Sequence, residues 1–295
     1  MKLRSVLPLA VVALCAAAAL APTASAASRQ RSIVGGTPAA VGSAPWTAFL
    51  VAPGRSGPQG QFCGATVVSP TAVVTAAHCV IDSGIRNFDV VTGQETLSGA
   101  GGQRLPVSSI DVDSGYQPGR TGHDAAVLHL ASPTAAPPIP TAGADQASLA
   151  APGSKLLLTG WGLVANNDRA TPDSLQQAII TAASNRRCEV DYEGAFKRTE
   201  MICSTGGLPD ACRGDSGGPL VSTDGGVPTL VGIVSFGGQH CGDRSFPGVY
   251  TRVSFEAGFL ARALSATPAA PTSSPAPGSQ IGLSYGTLNE RASRR

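Results

Sequence analysis

Residues 65–79 read ATVVSPTAVVTAAHC: two short β-branched runs, 65–68 and 72–75, parted by Ser69-Pro70-Thr71 and leading into His78-Cys79. Runs of four residues are too short for helices, and valine and threonine suit a pleated, packed surface, so the stretch reads as strands. The same texture recurs at 47–51, 88–92, 125–130, 156–159, 230–235 and 249–253, with glycine and proline between. That spacing favours a β-barrel or sandwich over alternating α/β units. The 36 glycines and 23 prolines among 295 residues show no three-residue period, which excludes collagen and argues against a helical bundle. One segment departs from the pattern. Ser254-Phe255-Glu256, followed by Phe259, Leu260, Ala263 and Leu264, combines a capping serine with an apolar stripe and predicts a closing helix over 254–264. Residues 133–140 (PTAAPPIP) read as a connection between two halves of similar length, about 33–140 and 141–252.

The ends of the chain set the compartment. Lys2 and Arg4, an apolar run over 6–20 and Ala24-Ser25-Ala26 predict a secretory signal peptide at 1–26 and a short propeptide at 27–32. The run falls short of the roughly 20 residues that span a membrane, so an extracellular protein with no membrane partner after signal removal is expected. Cys15 leaves with the signal, and Cys63, Cys79, Cys188, Cys203, Cys212 and Cys241 remain as an even set in an oxidising setting, which predicts three disulfides. Residues 267–279 (TPAAPTSSPAPGS) have too little apolar surface to offset the entropy of ordering, so 267–295 is predicted to be a disordered tail. The formal charge is +2, from 21 basic and 19 acidic residues without a long basic run, and no nucleic-acid partner is expected. Residues 1–32 contain Lys2, Arg4, Arg29 and Arg31 but no acid, so the remainder carries −2 and the part without the tail −4. That mild acidity suits a cationic substrate.

Three strings concentrate the chemistry: Thr75-Ala76-Ala77-His78-Cys79, His123-Asp124-Ala125-Ala126-Val127-Leu128, and Gly214-Asp215-Ser216-Gly217-Gly218-Pro219. They supply histidine, aspartate and serine in that order. A hydroxyl is a weak nucleophile at neutral pH, so a serine needs a base in reach and the base needs a third group to fix its tautomer. Gly214 to Gly218 also fits the elbow of α/β-hydrolases, but there the acid and histidine follow the serine in a set order and the elbow opens a helix. Here only Asp224, Asp243 and His240 lie downstream, and Gly217-Gly218-Pro219 is a poor helix start.

With its three strings in this order, the chain resembles the trypsin-like, chymotrypsin-fold serine proteases, especially secreted bacterial trypsins, from Ile33 to about Leu264. The resemblance implies an all-β fold: two antiparallel Greek-key β-barrels with the site in the cleft between them, plus the C-terminal helix, together forming a peptidase domain over 33–266. It implies His78 as general base, Asp124 as its orienter, Ser216 as nucleophile, and the N–H groups of Gly214 and Ser216 as oxyanion hole. It pairs Cys63 with Cys79, Cys188 with Cys203, and Cys212 with Cys241. Asp210 falls where such enzymes place the carboxylate at the base of the specificity pocket, Gly237 and Gly248 where the pocket walls stay open, and Ser235 on the substrate-pairing strand, where its hydroxyl would also support Asp124. Ile33-Val34-Gly35-Gly36 resembles the N-terminus of an activated enzyme, whose freed ammonium would pair with Asp215. The implied substrates are proteins or peptides cut after arginine or lysine, and the implied state is a monomer made as a zymogen, freed by an activating protease.

Four departures bear on these expectations. Ala211 replaces a serine that helps bind lysine in many trypsins, which should favour arginine. Phe236 replaces the usual tryptophan, and Gly238-Gln239-His240 is nearer the chymotrypsin length. Ser32, not a basic residue, precedes Ile33. A chymotrypsin-like specificity and a catalytically silent binding protein on the same fold remain the alternatives. No Cys-x-x-Cys pair exists and His123, His129 and His240 lack zinc-ligand spacing, so no metal or cofactor is expected. His123 reads as a surface or substrate-rim residue.

Overall fold

The computed structural model describes residues 33–166 and 171–265. The expected signal peptide, propeptide and tail lie outside the described residues, as do Arg31 and Ser32. In chain order the elements are β1 (Thr37–Pro38), β2 (Thr47–Val51), β3 (Gln61–Ser69), β4 (Ala72–Thr75), α1 (Ala77–Ile81), β5 (Asp89–Thr92), β6 (Gln103–Val112) and β7 (Ala126–Leu130). There follow β8 (Lys155–Gly160), β9 (Gln176–Thr181), α2 (Asn185–Tyr192), β10 (Met201–Cys203), β11 (Pro219–Ser222), β12 (Thr229–Phe236), β13 (Val249–Arg252) and α3 (Val253–Ser265). No helix among the described residues is long and apolar enough to cross a membrane.

Strands β2 to β7 close a six-stranded antiparallel barrel in the order β2-β3-β4-β7-β6-β5. Its strands pack a nearly solid apolar interior, since every residue of β2, β4 and β7 is buried. The second sheet has the order β1-β9-β8-β11-β12-β13-β10. Among the described residues, the segments just after β9 and β10 are joined by the isolated Ala182–Ser204 bridge, so this barrel is stitched closed at a point and not along a full ladder. Although β1 precedes the first barrel in the chain, it pairs with β9 of the second. The connection at 133–140 delivers Thr141 to a parallel bridge with Leu230 on β12.

The runs at 47–51 and 72–75 have the limits read from sequence, because both are continuous apolar stretches bounded by turn residues. Strand β6 escaped that reading: QRLPVSSIDV is mostly exposed, and it is held by ladders to β5 and β7 through its backbone, with Leu105 alone buried. Helix α2 (NRRCEVDY) also escaped, having only Cys188 buried, bridged to Cys203. The closing helix starts at Val253, directly off β13. Ser254 therefore lies inside its first turn and is not a cap outside it, and Glu256 is buried.

Candidate active site

His78, Asp124 and Ser216 arrive from three segments at strand ends. His78 lies in α1, one turn past β4; Asp124 stands just before β7; Ser216 occupies the turn that leads into β11. The Asp124 carboxylate accepts from His78 twice, through Oδ2 from the ring Nδ1 at 2.8 Å and through Oδ1 from the backbone N–H at 2.9 Å. The Ser235 hydroxyl on β12 donates to the same Oδ2 at 2.5 Å. Asp124 is 5% exposed, so burial alone would raise its pKa; the hydrogen bond and charge of His78, with the Ser235 hydroxyl, overcome this and hold it below the ordinary carboxylate value. Burial would lower His78, but the hydrogen bond and charge of Asp124, aided by the charge of Asp82, keep the imidazole above 6.5.

The Ser216 backbone is linked to the histidine through Cys79. The Cys79 sulfur lies 3.7 Å from His78 Nε2 and 3.6 Å from the Ser216 carbonyl oxygen, and that oxygen accepts from the Gly64 N–H at 2.7 Å. A bond between Ser216 Oγ and His78 Nε2 is not formed; such contacts often tighten only when substrate is bound. The Cys63–Cys79 bridge fastens β3 to α1 at this point.

The turn around Ser216 is bent by Gly214 and Gly217, at φ of 100° and 79°, which a side chain would strain. Among the described residues, neither the Gly214 nor the Ser216 N–H has a protein acceptor, so both can face a developing oxyanion. The Gly214 carbonyl is held the other way by Gln61 Nε2 at 2.7 Å. Gln61 was not among the residues singled out in the sequence, and neither was Thr251, whose hydroxyl donates to the Asp124 carbonyl at 3.0 Å. Both are ordinary polar residues on strands, and their local sequence carries no signal for these contacts.

Beside Ser216 opens a cavity of about 310 Å³, with Asp210, Ser235, Gly237 and Gly248 in its wall. Asp210 Oδ2 accepts from the Gly242 N–H at 2.8 Å, while Oδ1 is buried with no partner. Burial pushes Asp210 up to about 6, against the pull of N–H groups of Gly242, Ala211 and Gly248. A Cβ on Gly248 would stand 2.5 Å from Asp210 Oδ1, so this glycine keeps the approach to the carboxylate clear, whereas one on Gly237 would make only an ordinary contact with the Gly248 Cα at 3.7 Å. The Tyr250 hydroxyl also ends there without a partner, another group missed in sequence. The Cys212–Cys241 bridge ties the two flanking walls.

Asp215 is wholly buried. It accepts from the N–H groups of Gly162 at 2.7 Å and Cys212 at 2.9 Å, and burial pushes it up to about 7. No side-chain cation pairs with it among the described residues. Ile33 is fully buried as well.

The Trypsin family profile matches residues 33–257. A trypsin of Saccharopolyspora erythraea is 37% identical over 225 residues, spanning 75% of this chain and 93% of its own length. Trypsin beta and trypsin delta of Drosophila erecta are 35% and 34% identical over 224 residues, each spanning 75% of this chain and 84% of its own length.

Proposed function

The chain belongs to the trypsin family and is a serine endopeptidase, and on that premise we propose that it is a secreted zymogen whose active form cuts peptide bonds after arginine, and more slowly after lysine. The observation that carries the specificity is Asp210, which lines the cavity beside Ser216 and whose buried Oδ1 has no hydrogen-bond partner. A buried carboxylate without a cation is costly, and a guanidinium meets it through two parallel hydrogen bonds. Ala211 offers no hydroxyl to help an ammonium, which is shorter and makes a single-point contact.

In the proposed reaction Ser216 Oγ attacks the substrate carbonyl carbon while His78 Nε2 takes its proton. The Gly214 and Ser216 N–H groups hold the oxyanion. The C–N bond breaks as the imidazolium returns the proton to the leaving amine, which leaves an ester on Ser216. Water, deprotonated by His78, then releases the acid and restores the serine. Since Asp124 stabilises the imidazolium, kcat/KM should fall by half at a pH above 6.5 and then about tenfold per unit further down. Asp124→Asn should move that limb to lower pH; full activity retained well below pH 6 would contradict the role of His78.

For activation, Asp215 is the pivot. Its raised pKa means that ionised Asp215 costs stability increasingly as pH climbs from the ordinary carboxylate value through about 7, unless a cation pairs with it. The ammonium freed at Ile33 is the proposed partner, with an activating protease or later trimming removing Ser32. Secretion rests on the N-terminal pattern and the three disulfides, and the proposed working form is a monomer.

One experiment addresses these points together: mass spectrometry of the secreted protein incubated with a peptide library. Cleavage after arginine, weaker cleavage after lysine, and an active chain beginning at Ile33 are expected. Equal turnover of matched arginine and lysine peptides would remove the role given to Ala211. Cuts after aromatic residues would assign a chymotrypsin-like specificity, and an active chain beginning at Ser32 would refute the role of Ile33.

A further inference from the structure

Three side chains from separate segments converge next to Asp124 without a part in the reaction above. Asp113 follows β6, His123 immediately precedes Asp124, and Glu256 sits in the first turn of α3. One ligand atom from each lies within 4.8 Å of the other two. His123 Nδ1 stands 3.0 Å from Asp113 Oδ1 and 4.0 Å from Glu256 Oε1. The Glu256 side chain is only 1% exposed, and its Oε1 has no hydrogen-bond partner. His123 Nδ1 is also buried and unpartnered, because its approach to Asp113 lacks hydrogen-bond alignment. Asp113 Oδ1 is fixed in place by the Gly115 N–H at 2.7 Å. Buried polar atoms left unsatisfied are costly, and here two of them face the same small volume as a third, anchored carboxylate oxygen.

We propose that Asp113, His123 and Glu256 bind a divalent first-row transition cation, with zinc as the ion of best fit. Bonds of about 2.0 to 2.1 Å place the donors of tetrahedral zinc roughly 3.3 Å apart. The separations of 3.0 and 4.0 Å bracket that edge and the Asp113–Glu256 pair lies within 4.8 Å, so an inward movement of the carboxylates completes three corners. His123 also lines a cavity with Gly115, Gln117, Arg120, Thr121 and Lys197, through which water can reach the cluster to fill a fourth corner. Imidazole with carboxylates suits zinc and its neighbours, whereas calcium wants six to eight oxygens and magnesium an octahedral oxygen shell. The His123 ring packs edge-on against Phe255 at 5.3 Å between centroids, which limits its rotation.

The surrounding charges leave room for the ion. Burial pushes Glu256 up to about 8, and the carboxylates of Asp113, Glu200 and Asp124 push it the same way. Lys197 is engaged by Glu200 at 3.5 Å, and Arg120 lines the cavity beyond the cluster. The expectation of no metal came from local ligand spacing, and a site assembled from three segments escapes that test. A bound cation would tie the residue before Asp124 to the closing helix, and so would brace the loop that orients His78.

The test is calorimetric titration of zinc chloride into the untagged full chain carrying Ser216→Ala, which prevents self-cleavage and lies outside the cluster. One ion per chain with Kd at or below about 10 μM is expected, with cobalt giving the visible absorption of a tetrahedral site. Zinc should raise the thermal midpoint and calcium should leave it unchanged. Glu256→Gln, His123→Ala and Asp113→Asn should each weaken zinc binding at least about tenfold. Absence of zinc binding in the parent chain would overturn the proposal whatever the variants do, and so would equal affinity in all three folded variants.

Discussion

Ser216→Ala in the activated enzyme is expected to lower kcat on an arginyl peptide by about 10⁵- to 10⁶-fold, with KM little changed. Ser216 lines the cavity, and its carbonyl shares the Cys79 sulfur with His78 Nε2; on the proposed role of its hydroxyl, loss of that group removes the covalent route and leaves only oxyanion stabilisation and binding. That remainder is worth about 10³ to 10⁴ over water. His78→Ala should cost a similar amount, and the double variant little more, because base and nucleophile act as a unit. Asp124→Asn should cost about 10⁴, since an amide favours the wrong tautomer of His78. Ser216 is half-buried and its side chain holds no structural hydrogen bond, so the variant should fold as the parent does. Steady-state kinetics on a titrated enzyme decide the matter. A loss below about a hundredfold would place the nucleophile elsewhere.

Asp210→Asn should lower kcat/KM for the same arginyl peptide by about 10² to 10⁴, while a phenylalanyl peptide, poor to begin with, is unaffected or gains. The range follows from leaving a buried guanidinium without its countercharge, at about 3 to 5 kcal/mol. The sign with pH is set by the same carboxylate. In the free enzyme Asp210 is pushed up to about 6, and a bound cation stabilises its ionised form, so the parent should bind arginyl substrates less well as pH drops through 6. The asparagine variant should lack that dependence. If it cleaves arginyl peptides as the parent does, the base of the pocket lies at another residue.

Legibility in the sequence followed how much of each feature is local. Continuous apolar runs such as those at 47–51 and 72–75 declare themselves, because a strand buried on both faces needs no polar alternation. Strand β6, polar and exposed over most of its ten residues, declares nothing: its place is held by backbone ladders to two neighbours. The glycines around Ser216 were legible for a backbone reason, since the turn there runs through positive φ at Gly214 and Gly217. Gln61 was not. Its hold on the Gly214 carbonyl joins residues 153 apart in the chain, and the sequence near Gln61 does not reveal which backbone it will meet.

By itself, then, the sequence determined the chemical inventory: the histidine, aspartate and serine in family order, six cysteines between positions 63 and 241, and a fold of short strands closed by one helix. These follow from residue types and near-neighbour spacing, which act through local sterics and periodicity. Only the tertiary structure decided the environments. It left Asp210 Oδ1 buried and unpaired, sealed Asp215 away from water, and drew Asp113, His123 and Glu256 together from three segments. The physical reason is that desolvation and convergence depend on what packs against a side chain from far along the chain, and the packing of two barrels and a helix sets that all at once.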